Sequence, residues 1–198
     1  MPTIFCIGRN YAAHQREMGG APTADPEVVV FLKPWQALVD APGPLRLPAD
    51  VTEVHHEAEV VVRVGPGGVA DAIALGLDLT DRPRQAAAKQ AGLPWARAKG
   101  FRGAAPIGPF VPVAAVPALD RLRFTLTIDG AVKQRGDTAD LRTPIAKLLV
   151  ELERTFGLRA GDLVFTGTPE GVGPVASGQT LALALDGVPA ASATFRIA

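Results

Sequence analysis

The sequence predicts a β-rich α+β domain, and three observations carry that expectation. Short apolar and β-branched runs dominate the chain, only three stretches have a helical pattern, and strong turn residues separate the runs, Asp129-Gly130 above all. With 198 residues, 47% hydrophobic and 20% charged, the chain can bury one sizeable core, and a single domain over residues 1–198 is expected. The 20 basic residues balance 20 acidic ones, with no run of like charge. Nothing therefore points to nucleic acid or an anionic membrane surface, and a small molecule is the better partner. No apolar run reaches transmembrane length, and residues 1–10 lack the basic region and cleavage pattern of an export signal, so a cytoplasmic location is expected. Cys6, the single cysteine, sits among apolar residues and reads as a buried small hydrophobe.

In chain order, residues 3–7 form a short strand. A helical pattern runs from Asn10, a suitable N-cap, to about Met18, with Gly19-Gly20 as its stop. His14 and Glu17 lie three residues apart on that helix, hence on one face. An ordinary exposed helix writes such a pair, and so does a general base oriented by a carboxylate. A Pro/Ala loop spans residues 21–26, then residues 28–34 read as a buried strand that ends in Lys33, either snorkelling to water or placed to meet an anion. Residues 40–50 are a proline-rich turn with a short edge strand at 45–47.

Residues 54–64 form the strand that matters most. Side chains on a strand alternate faces, so Glu57 and Glu59 point the same way, about 7 Å apart along the backbone. Two carboxylates so placed can share a cation, and a strand with one wet face carries the same pattern. His55 has the same parity and offers a nitrogen ligand as an alternative. Gly65-Pro66-Gly67-Gly68 ends the strand, and the apolar stretch from Ala74 leads to Asp78, just before a helix with Thr80 as its expected N-cap and Pro83 in its first turn. The amides of that helix start, with Arg82 and Gln85, favour a nearby anion. Lys99 follows among the aromatics Trp95 and Phe101.

The rest is mostly β. Residues 122–128 alternate, Asp129-Gly130 turns the chain, and residues 131–135 return. Thr143-Pro144 opens a helix with Ile145, Leu148, Leu149 and Leu152 on one face and Gly157 as its stop. A strand at 163–166 enters a glycine-rich loop at 167–174, which lacks the Lys-Ser/Thr of a nucleotide-binding P-loop. A hairpin about Asp186-Gly187 closes the chain.

Taken together, Gly8-Arg9-Asn10-Tyr11 with His14 and Glu17, Phe31-Leu32-Lys33-Pro34, His55-His56-Glu57-Ala58-Glu59, Leu77-Asp78-Leu79-Thr80, residues 95–101 and residues 166–173 resemble the fumarylacetoacetate hydrolase family. They follow that family's order over essentially the whole chain, and the short, single-domain acylpyruvase branch is the most similar part of it. The resemblance implies a mixed, barrel-like sheet, a homodimer, and a divalent cation, Mg2+ or Mn2+, with Ca2+ an alternative occupant. It places Glu57, Glu59 and Asp78 on the metal, and His14 with Glu17 on the attacking water. Arg9, Lys33, Arg82, Gln85, Lys99 and Thr168 fall on the side of a 2-oxo acid substrate, Lys99 also serving catalysis. Three carboxylates without a cysteine make a hard oxygen site, which agrees with those cations.

The implied activity is hydrolytic cleavage of a C–C bond in a 3-acylpyruvate, giving pyruvate and a carboxylic acid. Oxaloacetate decarboxylation, or keto–enol tautomerisation of a 2-oxo diacid, would use the same electron sink. Three departures from the family pattern touch the substrate's surroundings: Pro83 after Arg82, Gly100-Phe101-Arg102 after Lys99, and a short connection between Val64 and Ile73.

Overall fold

The computed structural model describes residues 1–19 and 27–198. The loop expected at 21–26, and Gly20 of the Gly19-Gly20 stop, lie outside the described residues. The main sheet runs in the spatial order β2 (Val29–Lys33), β1 (Ile4–Gly8), β13 (Leu163–Phe165), β6 (Ala58–Val64), β7 (Ala70–Leu77), β9 (Ala105–Ile107) and β3 (Leu38–Asp40), with β10 (Val111–Pro112) also against β7. Strands β1/β13 and β3/β9 pair in parallel and the other neighbours antiparallel, so the sheet is mixed, and it curls into a half-barrel. A second sheet has the order β12 (Ala131–Asp137), β11 (Arg123–Ile128), β15 (Thr180–Leu185), β16 (Ala193–Ile197) and β4 (Gly43–Leu45). A third, small one joins β14 (Gly173–Pro174), β5 (Val54–His56) and β8 (Thr80–Asp81). Among the described residues four helices flank them: α1 (Ala12–Glu17), α2 (Arg82–Gln90), α3 (Ala96–Lys99) and α4 (Ile145–Phe156). No helix among the described residues is long and apolar enough to cross a membrane.

Central strand β6 is buried at Ala58, Val60, Val61, Val62 and Val64, the pattern of a strand covered on both faces. Its core is continuous with the apolar face of the second sheet, including Phe124, Leu126 and Phe195, and with Ile145, Leu148, Leu149 and Leu152 of α4. Gly157 ends α4 in the left-handed conformation at φ 68°. The Asp129-Gly130 turn has φ values of 50° and 82°, the doubly positive pair that matches the twist of a two-residue hairpin. Gly136 lies opposite Phe124, and a Cβ there would stand 2.2 Å from the ring, so only glycine fits beneath that aromatic.

Several local expectations are corrected. Tyr11, not Asn10, precedes the first helical residue of α1, because the Asn10 side chain is turned inward to bridge distant loops. Asp81 rather than Thr80 caps α2, accepting from the Arg84 N–H at 3.1 Å, while Thr80 is committed to β8 pairing and donates its hydroxyl to Asp78 O. Strand β2 is not a buried strand: it is the edge of the main sheet, and Leu32 is 49% exposed. The closing hairpin forms as expected, β15 antiparallel to β16, with Asp186-Gly187 opening a connection that also holds a 3-10 turn at Pro189–Ala191.

Candidate active site

Glu57 interrupts what reads as one strand. Residues before it belong to β5 in the small sheet and residues after it to β6 in the main sheet. Its carbonyl accepts the Asp78 N–H at 2.8 Å, one step beyond the Ala58/Leu77 pair where β6 and β7 part. Directly opposed residues of an antiparallel pair share a face. Glu57 thus faces Asp78, and Glu59, opposite Gly76, lies on the same side. Their carboxylate oxygens come within 4.8 Å of one another, all three residues being buried. The solvated-face reading of the Glu57/Glu59 pair is excluded, since they are 5% and 2% exposed. His55, on the other side of the break, pairs with Glu53 and is not part of the cluster.

The cations around the cluster are unequally shared. Lys99 Nζ stands 2.8 Å from Glu57 Oε2 and 2.7 Å from Asp78 Oδ2, and Arg82 Nη2 lies 2.5 Å from Glu57 Oε1. Burial alone would raise the Glu57 carboxyl, but Lys99 and Arg82 outweigh it and hold it well below the ordinary carboxylate range. Burial likewise opposes the Lys99 charge, and Asp78 and Glu57 overcome it, so the ammonium is held above its usual value. Glu59 differs. Burial first, then the like charges of Asp78 and Glu57, push its carboxyl up, and among the described residues no cationic side chain pairs with it. Among the described residues its one donor is the Gly167 N–H at 2.7 Å. Asp78 Oδ1 is also buried without a hydrogen-bond donor, the Lys33 ammonium touching it at 2.8 Å off the line of a bond. A carboxylate without a counter-charge beside an unsatisfied oxygen, in an all-oxygen donor set, fits a hard divalent cation.

The cluster opens into a cavity of about 470 Å³. Its wall includes His14, Arg9, Arg82, Gln85, Lys99 and Thr168, so every residue expected on the substrate side lines it except Lys33. His14 Nδ1 lies 3.1 Å from Glu17 Oε2, and Glu17 Oε1 accepts the Gly171 N–H at 3.0 Å, which ties α1 to the glycine-rich loop. Arg82 joins Glu57 to Gln85, whose amide nitrogen makes no hydrogen bond among the described residues. Lys33 is neither snorkelling nor facing the cavity. Its ammonium donates to Leu79 O at 3.1 Å, to Ala104 O at 2.9 Å and to Lys99 O, besides touching Asp78.

Two further polar residues hold this site, Asn10 in a role other than the expected helix cap and Gln134 without a local signal of its partners. Asn10 donates to Thr143 O and Thr166 O and accepts the Thr143 N–H, fixing the start of the glycine-rich loop. Gln134 of β12 accepts from the Ala58 N–H at 2.9 Å, lies 3.0 Å from His56 Nδ1, and donates to Thr168 Oγ1 and Pro169 O. It clamps both sides of Glu57 to the loop that carries Thr168. Only its parity on the return strand, among exposed neighbours, hinted that it turned inward. Gln134→Ala leaves the buried Ala58 N–H without its acceptor and takes the donor from Thr168 Oγ1 and Pro169 O, and it is expected to cost on the order of 3 kcal/mol in urea unfolding, with weaker cation binding alongside.

The fumarylacetoacetate (FAA) hydrolase C-terminal family matches residues 3–196. The chain is 40% identical over 195 residues to oxaloacetate tautomerase YcgM of Escherichia coli, covering 93% of this chain and 88% of that one. It is 33% identical to the mitochondrial oxaloacetate decarboxylase of Dictyostelium discoideum, over 93% of this chain and 89% of the other. The crystal structure of fumarylpyruvate hydrolase from Pseudomonas aeruginosa in complex with Mn2+ and pyruvate superposes with a TM-score of 0.92 at 37% identity, covering 100% of this chain and 89% of that chain.

Proposed function

The chain belongs to the fumarylacetoacetate hydrolase family, and we propose that it acts on 2-oxo dicarboxylates through their enol form, interconverting the keto and enol tautomers of an oxaloacetate-type acid. One observation carries this reading: a histidine oriented by a carboxylate stands on the wall of the same cavity that holds the buried Glu57, Glu59 and Asp78. The similarity to a tautomerase over nearly the full length of both chains supports it.

Glu57, Glu59 and Asp78 would hold a divalent cation, proposed to be Mg2+, which when bound polarises the 2-oxo group and acidifies the neighbouring C3–H bonds. A neutral His14 that donates Nδ1–H to Glu17 keeps its Nε2 lone pair to take a proton from C3. The C3–H electron pair then moves into the C2–C3 bond. Lys99 offers an ammonium that stays protonated, suited to the negative charge that gathers on the 2-oxo oxygen until it takes up a proton. Gln85, with its amide nitrogen uncommitted, and Arg82 orient the acid. A homodimer is the assembly that accompanies this reading.

Hydrolysis of acylpyruvates is the second reading. It is favoured by the double anchoring of Glu17, to His14 and to the Gly171 N–H, which suits a histidine that must hold a water in place, and by the similarity to a fumarylpyruvate hydrolase. Both readings use His14 as the base. One assay separates them: the ultraviolet absorbance of enol-oxaloacetate is followed with Mg2+ while pyruvate and acid release are measured on oxaloacetate, acetylpyruvate and fumarylpyruvate. Loss of enol without pyruvate is the expected result, and pyruvate with stoichiometric acid from an acylpyruvate would move the assignment to hydrolysis. His14→Ala is expected to lower the rate by about 10²–10⁴ with cation affinity unchanged. An unimpaired, metal-loaded His14→Ala protein would end the proposed role of this residue.

A further inference from the structure

One wall of the cavity is an aromatic strip with an ammonium at each end. Lys99 Nζ stands 5.0 Å from the centre of the Phe31 ring, Phe31 and Trp95 are 5.7 Å apart, and Lys89 Nζ lies 5.4 Å from the centre of the Trp95 ring. All four residues line the cavity. At the inner end Lys99 is neutralised by Glu57 and Asp78. At the outer end the balance differs: Lys89 and Arg9 both line the cavity, and neither has a carboxylate within ion-pairing distance among the described residues. Burial, then the nearby positive charges of Arg82, Arg9 and Lys99, lower the pKa of Lys89 from lysine's ordinary value. Like charges gathered at a cavity wall without a counter-charge are relieved by an anion. The cation–π contact with Trp95 steadies the long lysine chain over the strip. Glu27 is the remaining acidic residue of the lining, and it pairs with neither cation.

We propose that Lys89, seated on Trp95 with Arg9 alongside, receives the distal carboxylate of the substrate, which makes it the residue that selects dicarboxylic 2-oxo acids over monocarboxylic ones. The proposal rests on the reading above that the 2-oxo acid end lies at Glu57, Glu59 and Asp78. A substrate so placed turns its 2-oxo acid end to the carboxylate cluster and its distal end toward Lys89.

The test uses two probes of one chain length, 2-oxoglutarate and 2-oxopentanoate, which differ in the distal carboxylate alone. Their affinities for the Mg2+-loaded protein are measured by calorimetry. The wild-type protein is expected to favour the diacid by roughly tenfold, the range of one charge-assisted hydrogen bond. Lys89→Met should remove that preference by weakening the diacid alone, and Lys89→Arg should retain most of it. A wild-type protein that binds both probes equally, or a Lys89→Met variant that weakens both to the same degree, overturns the assignment of Lys89 and leaves the 2-oxo acid reading standing. A wild-type protein that binds neither overturns the 2-oxo acid reading and this assignment with it.

Discussion

Glu59→Gln should abolish divalent-cation binding and lower turnover by at least about a thousandfold, while the metal-free protein unfolds at the same temperature or higher. The two halves of that expectation have different causes. Glu57 and Asp78 are balanced by Lys99, Arg82 and Lys33, so removing either carboxylate leaves buried cations without partners. Glu59 has no such partner and lies beside two further carboxylates. A neutral amide of nearly the same shape keeps an oxygen for the Gly167 N–H and gains an N–H to offer its acidic neighbours. The fold thereby loses a source of repulsion. The cation, in contrast, loses the one ligand whose charge nothing else offsets. Thermal unfolding with and without Mg2+ reads both effects: at a hundred times Kd, Mg2+ stabilises the wild-type protein by about 2.7 kcal/mol, and it should leave Glu59→Gln unmoved. A variant that is clearly less stable without metal would mean that Glu59 serves the fold, not a cation.

The buried carboxylate cluster and the histidine–carboxylate pair on its cavity are legible in the sequence because each part has a local signature. Glu57 and Glu59 share strand parity, Asp78 ends an apolar run, and His14 and Glu17 share a helix face. Register then did the rest, since the β6–β7 pairing sets Asp78 opposite Glu57. What the chain does not spell out locally is which polar atom a buried side chain meets across the fold. Gln134 meets Ala58, His56 and Thr168 from a different sheet, and Asn10 meets Thr143 and Thr166 across more than 130 positions of sequence. Hydrophobic periodicity says that such positions face inward and is silent about their partners. The same limit explains Asn10 read as a helix cap, since a cap and a long-range bridge ask for the same amide. The α2 cap falls on Asp81, one residue after Thr80, for a smaller reason: adjacent Thr and Asp are both good caps, and β8 pairing claims the threonine.

Lys33→Met is expected to destabilise the protein by about 3–5 kcal/mol, the cost of breaking a buried ion pair from one side, even though this residue is absent from the cavity lining. Its side chain is 0% exposed and that of Asp78 is 2% exposed. With the ammonium gone, Leu79 O, Ala104 O and Lys99 O lose a donor together, and Asp78 Oδ1 loses its positive neighbour. Those carbonyls belong to the segments that carry Asp78 and Lys99, so the lysine is a strut beneath the site. A strut and a substrate contact predict different kinetics. If Lys33 only supports, Mg2+ should recover part of the lost stability by supplying positive charge to Asp78, and kcat/KM measured in the cold with saturating Mg2+ should fall by less than about tenfold. Were Lys33 to contact the acid, KM would rise sharply under the same conditions while unfolding changed little. The four contacts already made by its ammonium decide the expectation: no N–H remains for a substrate to accept, so the larger effect should fall on unfolding.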